Sequence, residues 1–105
     1  MKFGLVHVRV LYTEGCPNLR ETLDRVRRVF GAGVGAYRLE TIEVGTIEEA
    51  ARLRFCGSPT VQVGGLDVDP RTEAPRDVTL GCRLYDGSGS PSVEMLEAAV
   101  PVATC

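Results

Sequence analysis

The fold of this chain is decided at residues 12–19, which read YTEGCPNL. Residues 6–11, just before it, are mostly β-branched and apolar, which suits a buried strand. After it, apolar side chains recur at spacings of 4, 3 and 4, the stripe of an amphipathic helix, and these are Leu19, Leu23, Val26 and Phe30. We therefore predict that a strand ends and a helix begins here, with Cys16 at the joint.

Cys16 precedes a proline that suits the first position of a helix, because Pro17 has no N–H to leave unpaired and its φ is already helical. This predicts Cys16 as the N-cap of a helix over residues 17–30, which stops at the glycine-rich residues 31–35. A sulfur at the positive end of a helix dipole has a lowered thiol pKa and serves as a nucleophile or soft-metal ligand. The alternative is an unreactive cysteine packed in a turn, and the neighbouring carboxylate of Glu14 disfavours a thiolate.

The size and charge of the chain limit what it does. Its 105 residues predict one domain, residues 1–105, with a core at about residues 5–100. A net charge of −2 provides no basic stripe, so we expect no nucleic-acid partner. No apolar run approaches the ~20 residues of a membrane span, so we expect no membrane partner. Residues 1–4 lead directly into the first strand without a signal-peptide pattern, which predicts a cytoplasmic protein with reduced cysteines.

The rest of the chain continues the alternation of strands and helices. We predict an edge strand at residues 36–44, a helix capped by Thr46 and Glu49, strands at residues 60–63 and 79–85, and a last helix capped by Ser90 or Ser92 and ended by Pro101. Residues 66–77 read as a surface loop in which Asp67, Asp69 and Glu73 provide solubilising charge. The order β-α-β-α-β-β-α predicts an α/β fold, with the first two strands parallel and the last two antiparallel.

Several short motifs follow this order of elements: G-C-P at residues 15–17, F-x-G-S-P-T at 55–60, V-x-V-x-G at 61–65, D-V-x-P at 67–70 and C-R-L-Y at 82–85. With them the chain resembles the thioredoxin-like superfamily. It is most similar to a group of small bacterial thioredoxin-like proteins that are sometimes labelled alkylmercury-lyase-like. The resemblance implies a four-stranded mixed sheet with helices on both faces.

The resemblance also implies roles for individual residues. Cys16 stands where the family has its attacking cysteine. Pro59, preceded by Ser58, stands where the family has a cis-proline that lies across from that cysteine. Partner or glutathione binding then falls to Pro17 and to the backbone of residues 58–60, Thr60 included. The chain departs from the family at Leu19, where a dithiol oxidoreductase has its second cysteine, so a C-x-x-C cycle is excluded. A long loop also takes the place of the tight hairpin expected between the last two strands.

The other cysteines carry weaker signals. Cys56, three residues before Pro59, is predicted to approach the Cys16 end of the sheet, either as a thiol that resolves an adduct on Cys16 or as a buried cysteine at a helix end. Cys82 alternates with two leucines, which favours core packing. Cys105 ends the chain and is expected to fray. Without a C-x-x-C pair no structural zinc site is predicted, and nothing in the sequence calls for a cofactor.

Three hypotheses of function follow. The first is a thiol-based redox protein, a monothiol oxidoreductase in which Cys16 exchanges with a small thiol or a protein disulfide and Cys56 resolves the adduct. The second is binding of Hg(II) or Cu(I) by Cys16 and Cys56, or cleavage of a carbon–mercury bond with Glu14 as proton donor. The third is a non-catalytic binding domain that forms a homodimer through an exposed edge strand.

Overall fold

Two β-sheets and three α-helices make up the computed structural model, which describes residues 5–33 and 36–100. In chain order the elements are β1 (Val6–Tyr12), α1 (Leu19–Gly33), β2 (Tyr37–Glu43), α2 (Ile47–Leu53), β3 (Cys56–Ser58), β4 (Thr60–Val63), β5 (Leu66–Asp67), β6 (Thr79–Cys82) and α3 (Val93–Ala99). The predicted α/β class and the four-stranded mixed sheet are confirmed.

The larger sheet has the strand order β2-β1-β4-β5. β1 and β2 are parallel, as predicted, and β4 is antiparallel to β1, so β2 is the edge strand that the sequence predicted. Alternate residues of β1 pack into two hydrophobic cores, one on each face of the larger sheet. Val8 and Val10 pack with the apolar faces of α1 and α3, while Leu11 packs on the other side with α2 and Phe55. Helices therefore cover both faces of this sheet, as expected.

The predicted antiparallel pairing of residues 60–63 with residues 79–85 is wrong. β6 instead pairs in parallel with β3, and these two strands form a separate small sheet. The fourth strand of the larger sheet is β5, which follows β4 through a tight two-residue turn. Gly64 and Gly65, at φ of 59° and 86°, allow this turn, because left-handed backbone at both central positions suits a hairpin. The predicted long loop in place of a hairpin is therefore also wrong.

The ends of the first helix differ from the prediction. α1 begins at Leu19 and extends to Gly33, past the predicted end near Phe30. The Leu19 N–H donates to the carbonyl of Cys16 at 3.4 Å, and the first helical bond runs from the Thr22 N–H to the Asn18 carbonyl at 3.1 Å. Cys16 thus lies in a turn before the helix and is not its N-cap. Its carbonyl accepts from a residue three positions later, across the turn formed by residues 17–18, and the helix begins only after this turn.

The predicted caps of the other two helices are confirmed. The Glu49 N–H donates to Thr46 Oγ1 at 3.1 Å and starts α2. The Met95 N–H donates to Ser92 Oγ at 3.0 Å and starts α3, so Ser92 is the cap. Pro101 and Cys105 lie outside the described residues. Within residues 5–33 and 36–100, no helix has the length and apolar character that crossing a membrane requires.

Candidate functional site

Cys16 closes a turn at the carboxyl end of β1. Its N–H donates to the Thr13 carbonyl at 3.2 Å, and Gly15 takes a left-handed φ of 76° inside the turn. The side chain of Cys16 is half-buried and its thiol is free, while Glu14 and Pro17 on either side are exposed. A free, half-buried thiol on a tight turn is open to a small reagent.

The Ser58–Pro59 segment lies directly against this turn. The peptide bond between the two residues is cis. Ser58 Oγ accepts a hydrogen bond of 3.0 Å from the backbone N–H of Thr13, the first residue of the Cys16 turn. The pairing of Leu11 with Thr60 brings the end of β1 to this place. The structure therefore joins the Cys16 turn and the Ser58–Pro59 segment by a direct contact.

The backbone of residues 58–60 is occupied by the chain itself. The Ser58 carbonyl accepts from the Arg83 N–H at 3.1 Å, and the Pro59 carbonyl accepts from the hydroxyl of Tyr85 at 2.6 Å. Ser58, Pro59 and Thr60 are all buried. Residues 82–85 thus cover the segment to which the family resemblance assigned partner binding.

Arg83 is the centre of a buried polar network beneath this segment. Its guanidinium is only 6% exposed and forms two hydrogen bonds with the carboxylate of Asp67, at 2.7 and 2.8 Å. It also donates to Thr60 Oγ1 at 3.2 Å and Thr72 Oγ1 at 2.7 Å, and it lies 4.3 Å from the ring centre of Tyr85. Burial of a charge is tolerated where it is paired and hydrogen-bonded, as Arg83 is.

The predicted role of the acidic residues 66–77 as solubilising charge is therefore wrong for two of the three carboxylates. Asp67 is bound by Arg83, and Asp69 is buried at 7% exposure. The carboxylate of Asp69 accepts from Arg71 Nε at 3.0 Å and Nη2 at 2.9 Å, and these bonds lower the pKa of Asp69. Glu73 is exposed and pairs with Arg76 at 2.7 Å, so the surface interpretation suits Glu73 alone.

Cys56 is buried at the start of β3. Its thiol donates to the Arg54 carbonyl at 3.6 Å, and its backbone N–H donates to Thr60 Oγ1 at 3.1 Å. Burial raises the pKa of Cys56, and the nearby charge of Asp67 raises it further, while Arg83 acts in the opposite direction. Cys56 is a free thiol, and no hydrogen bond of the described residues joins its sulfur to Cys16.

Cys82 is exposed, and the prediction that it packs in the core is wrong. It lies at the end of β6, a strand whose residues are mostly exposed. In the β3–β6 pairing its Cα is opposite that of Ser58. Sequence reasoning missed this position because β3 has only three residues and gives no periodic signal. Ser58 therefore contacts the Cys16 turn through its hydroxyl and lies beside Cys82 through the sheet.

Two further features bear on the site. Among the residues that the structure describes, no group of three or more His, Cys, Asp or Glu side chains is placed to hold a metal ion. A groove lies between α1 and α3, toward the end of α1 that is remote from Cys16, and it is lined by Arg28, Val29, Ala32, Val93, Glu97 and Val100. The groove is not part of the cysteine site.

Comparison with known proteins gave no match: no family model, no curated protein and no solved structure matched this chain. The candidate site therefore rests on its own geometry.

Proposed function

We propose that this protein is a thioredoxin-like monothiol redox protein in which Cys16 is the nucleophile. The observation that carries the proposal is the hydrogen bond of 3.0 Å between the Thr13 N–H and Ser58 Oγ. It joins the turn of a half-buried cysteine to the Ser58–Pro59 segment, and the thioredoxin-like resemblance implies that the cysteine and this proline lie close together. The four-stranded mixed sheet with helices on both faces supports the same resemblance.

The substrate we propose is a small disulfide. A docked peptide would need the backbone of residues 58–60, and Arg83 and Tyr85 already bond to it. Ser58, Pro59 and Thr60 then hold the Cys16 turn in place, and a small molecule needs only access to the half-buried sulfur. A protein disulfide is the less favoured partner for the same reason.

The reaction is thiol–disulfide exchange in two steps. The thiolate of Cys16 attacks one sulfur of the small disulfide, so that a Cys16 mixed disulfide forms and one small thiolate leaves. A second small thiolate then attacks the small-molecule sulfur of this adduct, which releases Cys16 as thiolate and forms a new small disulfide. No cofactor takes part. We place the reaction in the cytoplasm, where small thiols are kept reduced.

Cys56 is a poor candidate for the second step. The Cys56 sulfur is buried, and the raised pKa of Cys56 keeps it as the neutral thiol, whereas the thiolate is the attacking species. A thiol from solution reaches a half-buried Cys16 adduct without any opening of the fold. We therefore propose that a soluble thiol, rather than Cys56, releases the product.

The experiment follows exchange between glutathione and a small disulfide, such as hydroxyethyl disulfide, with three serine variants. We expect Cys16→Ser to lose the exchange, and Cys56→Ser and Cys82→Ser to keep it. Cys82→Ser is the matched control because Cys82 is also a free thiol near Ser58. Mass spectrometry of the trapped adduct should place it on Cys16. Full exchange by Cys16→Ser, or an adduct on Cys82 alone, would contradict the proposal.

The same variants separate the other two hypotheses. Stoichiometric uptake of Hg(II) or Cu(I) that is lost in both Cys16→Ser and Cys56→Ser would indicate a soft-metal site in place of redox exchange. Release of the hydrocarbon from an alkylmercury compound, lost on Glu14→Gln, would indicate the lyase activity. A folded protein that neither exchanges nor binds metal would support the hypothesis of a non-catalytic binding domain.

A further inference from the structure

The outer edge of β2 is a surface that the thiol chemistry does not use. β2 has seven residues and, within residues 5–33 and 36–100, pairs only with β1. The side chains of Arg38, Glu40, Thr41 and Glu43 along it are exposed. An edge strand of this length presents a row of backbone groups that another strand can pair with.

The bonds to β1 fix which backbone groups of β2 face outward. The Val6 N–H donates to the Ala36 carbonyl at 3.4 Å, and the Val44 N–H donates to the Tyr12 carbonyl at 2.7 Å. In a parallel ladder alternate residues of a strand face the same neighbour, so the even-numbered residues of β2 bond to β1. The outward N–H and C=O groups are therefore those of the odd-numbered residues, among them Tyr37, Leu39 and Thr41.

We propose that β2 pairs antiparallel with β2 of a second copy of this chain, across a two-fold axis at Leu39. Leu39 then lies opposite Leu39 of the second copy, and Tyr37 lies opposite Thr41. These outward-facing residues exchange about six backbone hydrogen bonds, two for each facing pair. The two four-stranded sheets become one continuous sheet.

Charge selects this register from the alternatives. With Leu39 on the axis, Arg38 lies opposite Glu40 of the second copy and Glu40 lies opposite its Arg38. These are non-hydrogen-bonded positions, where side chains of facing strands are closest. If the two-fold axis lies at Glu40 instead, Glu40 faces Glu40 of the second copy. If the axis lies at Arg38, Arg38 faces Arg38 of the second copy. Only the Leu39 register gives two pairs of opposite charge.

The test measures the molecular mass in solution over a range of concentrations, by sedimentation or light scattering. We expect the wild-type protein to be a dimer. Arg38→Glu and Glu40→Arg should each weaken the dimer about tenfold or more, because each replaces two attractive pairs with two repulsive ones. Both side chains are exposed, so circular dichroism should show that both variants are folded.

Two combinations then test the register itself. An equimolar mixture of Arg38→Glu and Glu40→Arg chains should form a heterodimer, and the double variant with both changes should again form a homodimer. Glu43→Arg is the matched control and should remain a dimer, because Glu43 lies beyond the last paired residue.

A wild-type monomer at all concentrations, dimers that survive Arg38→Glu, or a mixture that stays monomeric would each overturn the proposal. If the wild-type protein is a monomer, the charges of Arg38 and Glu40 would instead prevent another strand from pairing with the edge of β2. None of these outcomes depends on whether Cys16 is reactive.

Discussion

The backbone N–H of Thr13 donates to Ser58 Oγ over 3.0 Å, although the two residues are 45 apart in the chain. The bond joins the end of β1 to the residue before Pro59, and the same serine uses its carbonyl to accept from Arg83. Ser58 is thus bonded to the Cys16 turn on one side and to the residues after β6 on the other. A single buried hydroxyl thus joins the Cys16 turn to the Ser58–Pro59 segment.

Ser58→Ala should therefore loosen the Cys16 turn. The Thr13 N–H is partly buried and would lose its acceptor, which costs about 1–3 kcal/mol of unfolding free energy. Urea unfolding measures this loss, and exchange at Cys16 should slow several-fold because its turn is no longer held. Ser88→Ala is the control, since the Ser88 hydroxyl is on an exposed residue and accepts only a long bond of 3.3 Å from Ser90. Equal stability of the two variants would show that the Thr13 bond contributes little.

Gly57 tests the pairing of β3 with β6. A Cβ at this position would lie 2.9 Å from Arg83 Cβ, and the φ of Gly57 is 105°. Gly57→Ala should lower the unfolding free energy by about 1–3 kcal/mol from backbone strain, with steric overlap adding to it. Gly31→Ala in α1, where nothing lies within 4 Å, should instead stabilise the protein by about 0.5–1 kcal/mol. Thermal and urea unfolding measure both variants, and a neutral Gly57→Ala would show that the two strands separate easily.

Most of what could be predicted from the sequence was local, apart from the parallel pairing of β1 with β2, which follows from the helical crossover between them. β1 and the start of β4 follow from β-branched runs, and the α2 cap follows from Thr46 and Glu49 three residues apart. Each of these signals lies within one element, where periodicity and capping rules apply directly.

The parts that sequence reasoning missed depend on contacts between distant residues. Asp67 is buried because Arg83, 16 residues later, binds it, and nothing near Asp67 in the chain indicates that partner. Cys82 is exposed on β6, which pairs with β3 rather than with the larger sheet. β3 has three residues, which are too few to give a periodic signal in the sequence. Of the candidate site, the proximity of the Cys16 turn and Pro59 was implied by the family resemblance, whereas the occupied backbone of residues 58–60 had no signal in the sequence.

Asp67→Asn should lower the pKa of Cys56. Burial makes the largest contribution to the raised pKa of Cys56, and the negative charge of Asp67 makes the second largest. The positive charge of Arg83 lowers this pKa. Asparagine removes one negative charge and leaves the positive charge of Arg83 less compensated, so the thiolate becomes easier to form. The measurement is alkylation of Cys56 against pH, read by mass spectrometry, with the midpoint pH rather than the rate compared between proteins. Asp24→Asn, an equal change of charge on the exposed side of α1, is the control. An unchanged midpoint in Asp67→Asn would mean that burial alone sets the pKa of Cys56.

The same raised pKa has a consequence for wild-type stability at alkaline pH. The pKa of Cys56 is higher in the folded state than the ~8.5 of an unfolded cysteine. The stability associated with the neutral thiol is fully present below about pH 8.5 and is lost as the pH rises through the folded-state pKa. Cys56→Ser should lack this decline, so the difference between the two proteins should shrink above about pH 8.5. A difference that stays constant up to pH 10 would contradict the assignment.

At acidic pH, Asp69 makes the free energy of unfolding change with pH in the opposite direction, so that stability falls as the pH falls. Its hydrogen bonds with Arg71 lower the pKa of the carboxyl in the folded state below the ~3.9 of an unfolded aspartate. The stability that this carboxylate provides is therefore present above about pH 4 and is lost as the pH falls through the lower folded-state pKa. Asp69→Asn keeps one oxygen that can accept from the Arg71 backbone N–H, but it removes the charge and the oxygen that accepts from Arg71 Nη2. We expect the variant to be less stable than wild type at pH 6 and equal to it near pH 2.

The Arg71 side chain is 63% exposed, so added salt should reduce the difference at pH 6. Asp24→Asn serves again as the control, because Asp24 is exposed and its nearest cationic atom, on Arg27, is 4.0 Å away. If Asp69→Asn and Asp24→Asn show the same small effect at every pH, the Arg71 pair contributes nothing to folding, and the buried position of Asp69 would then be explained by its backbone hydrogen bond alone.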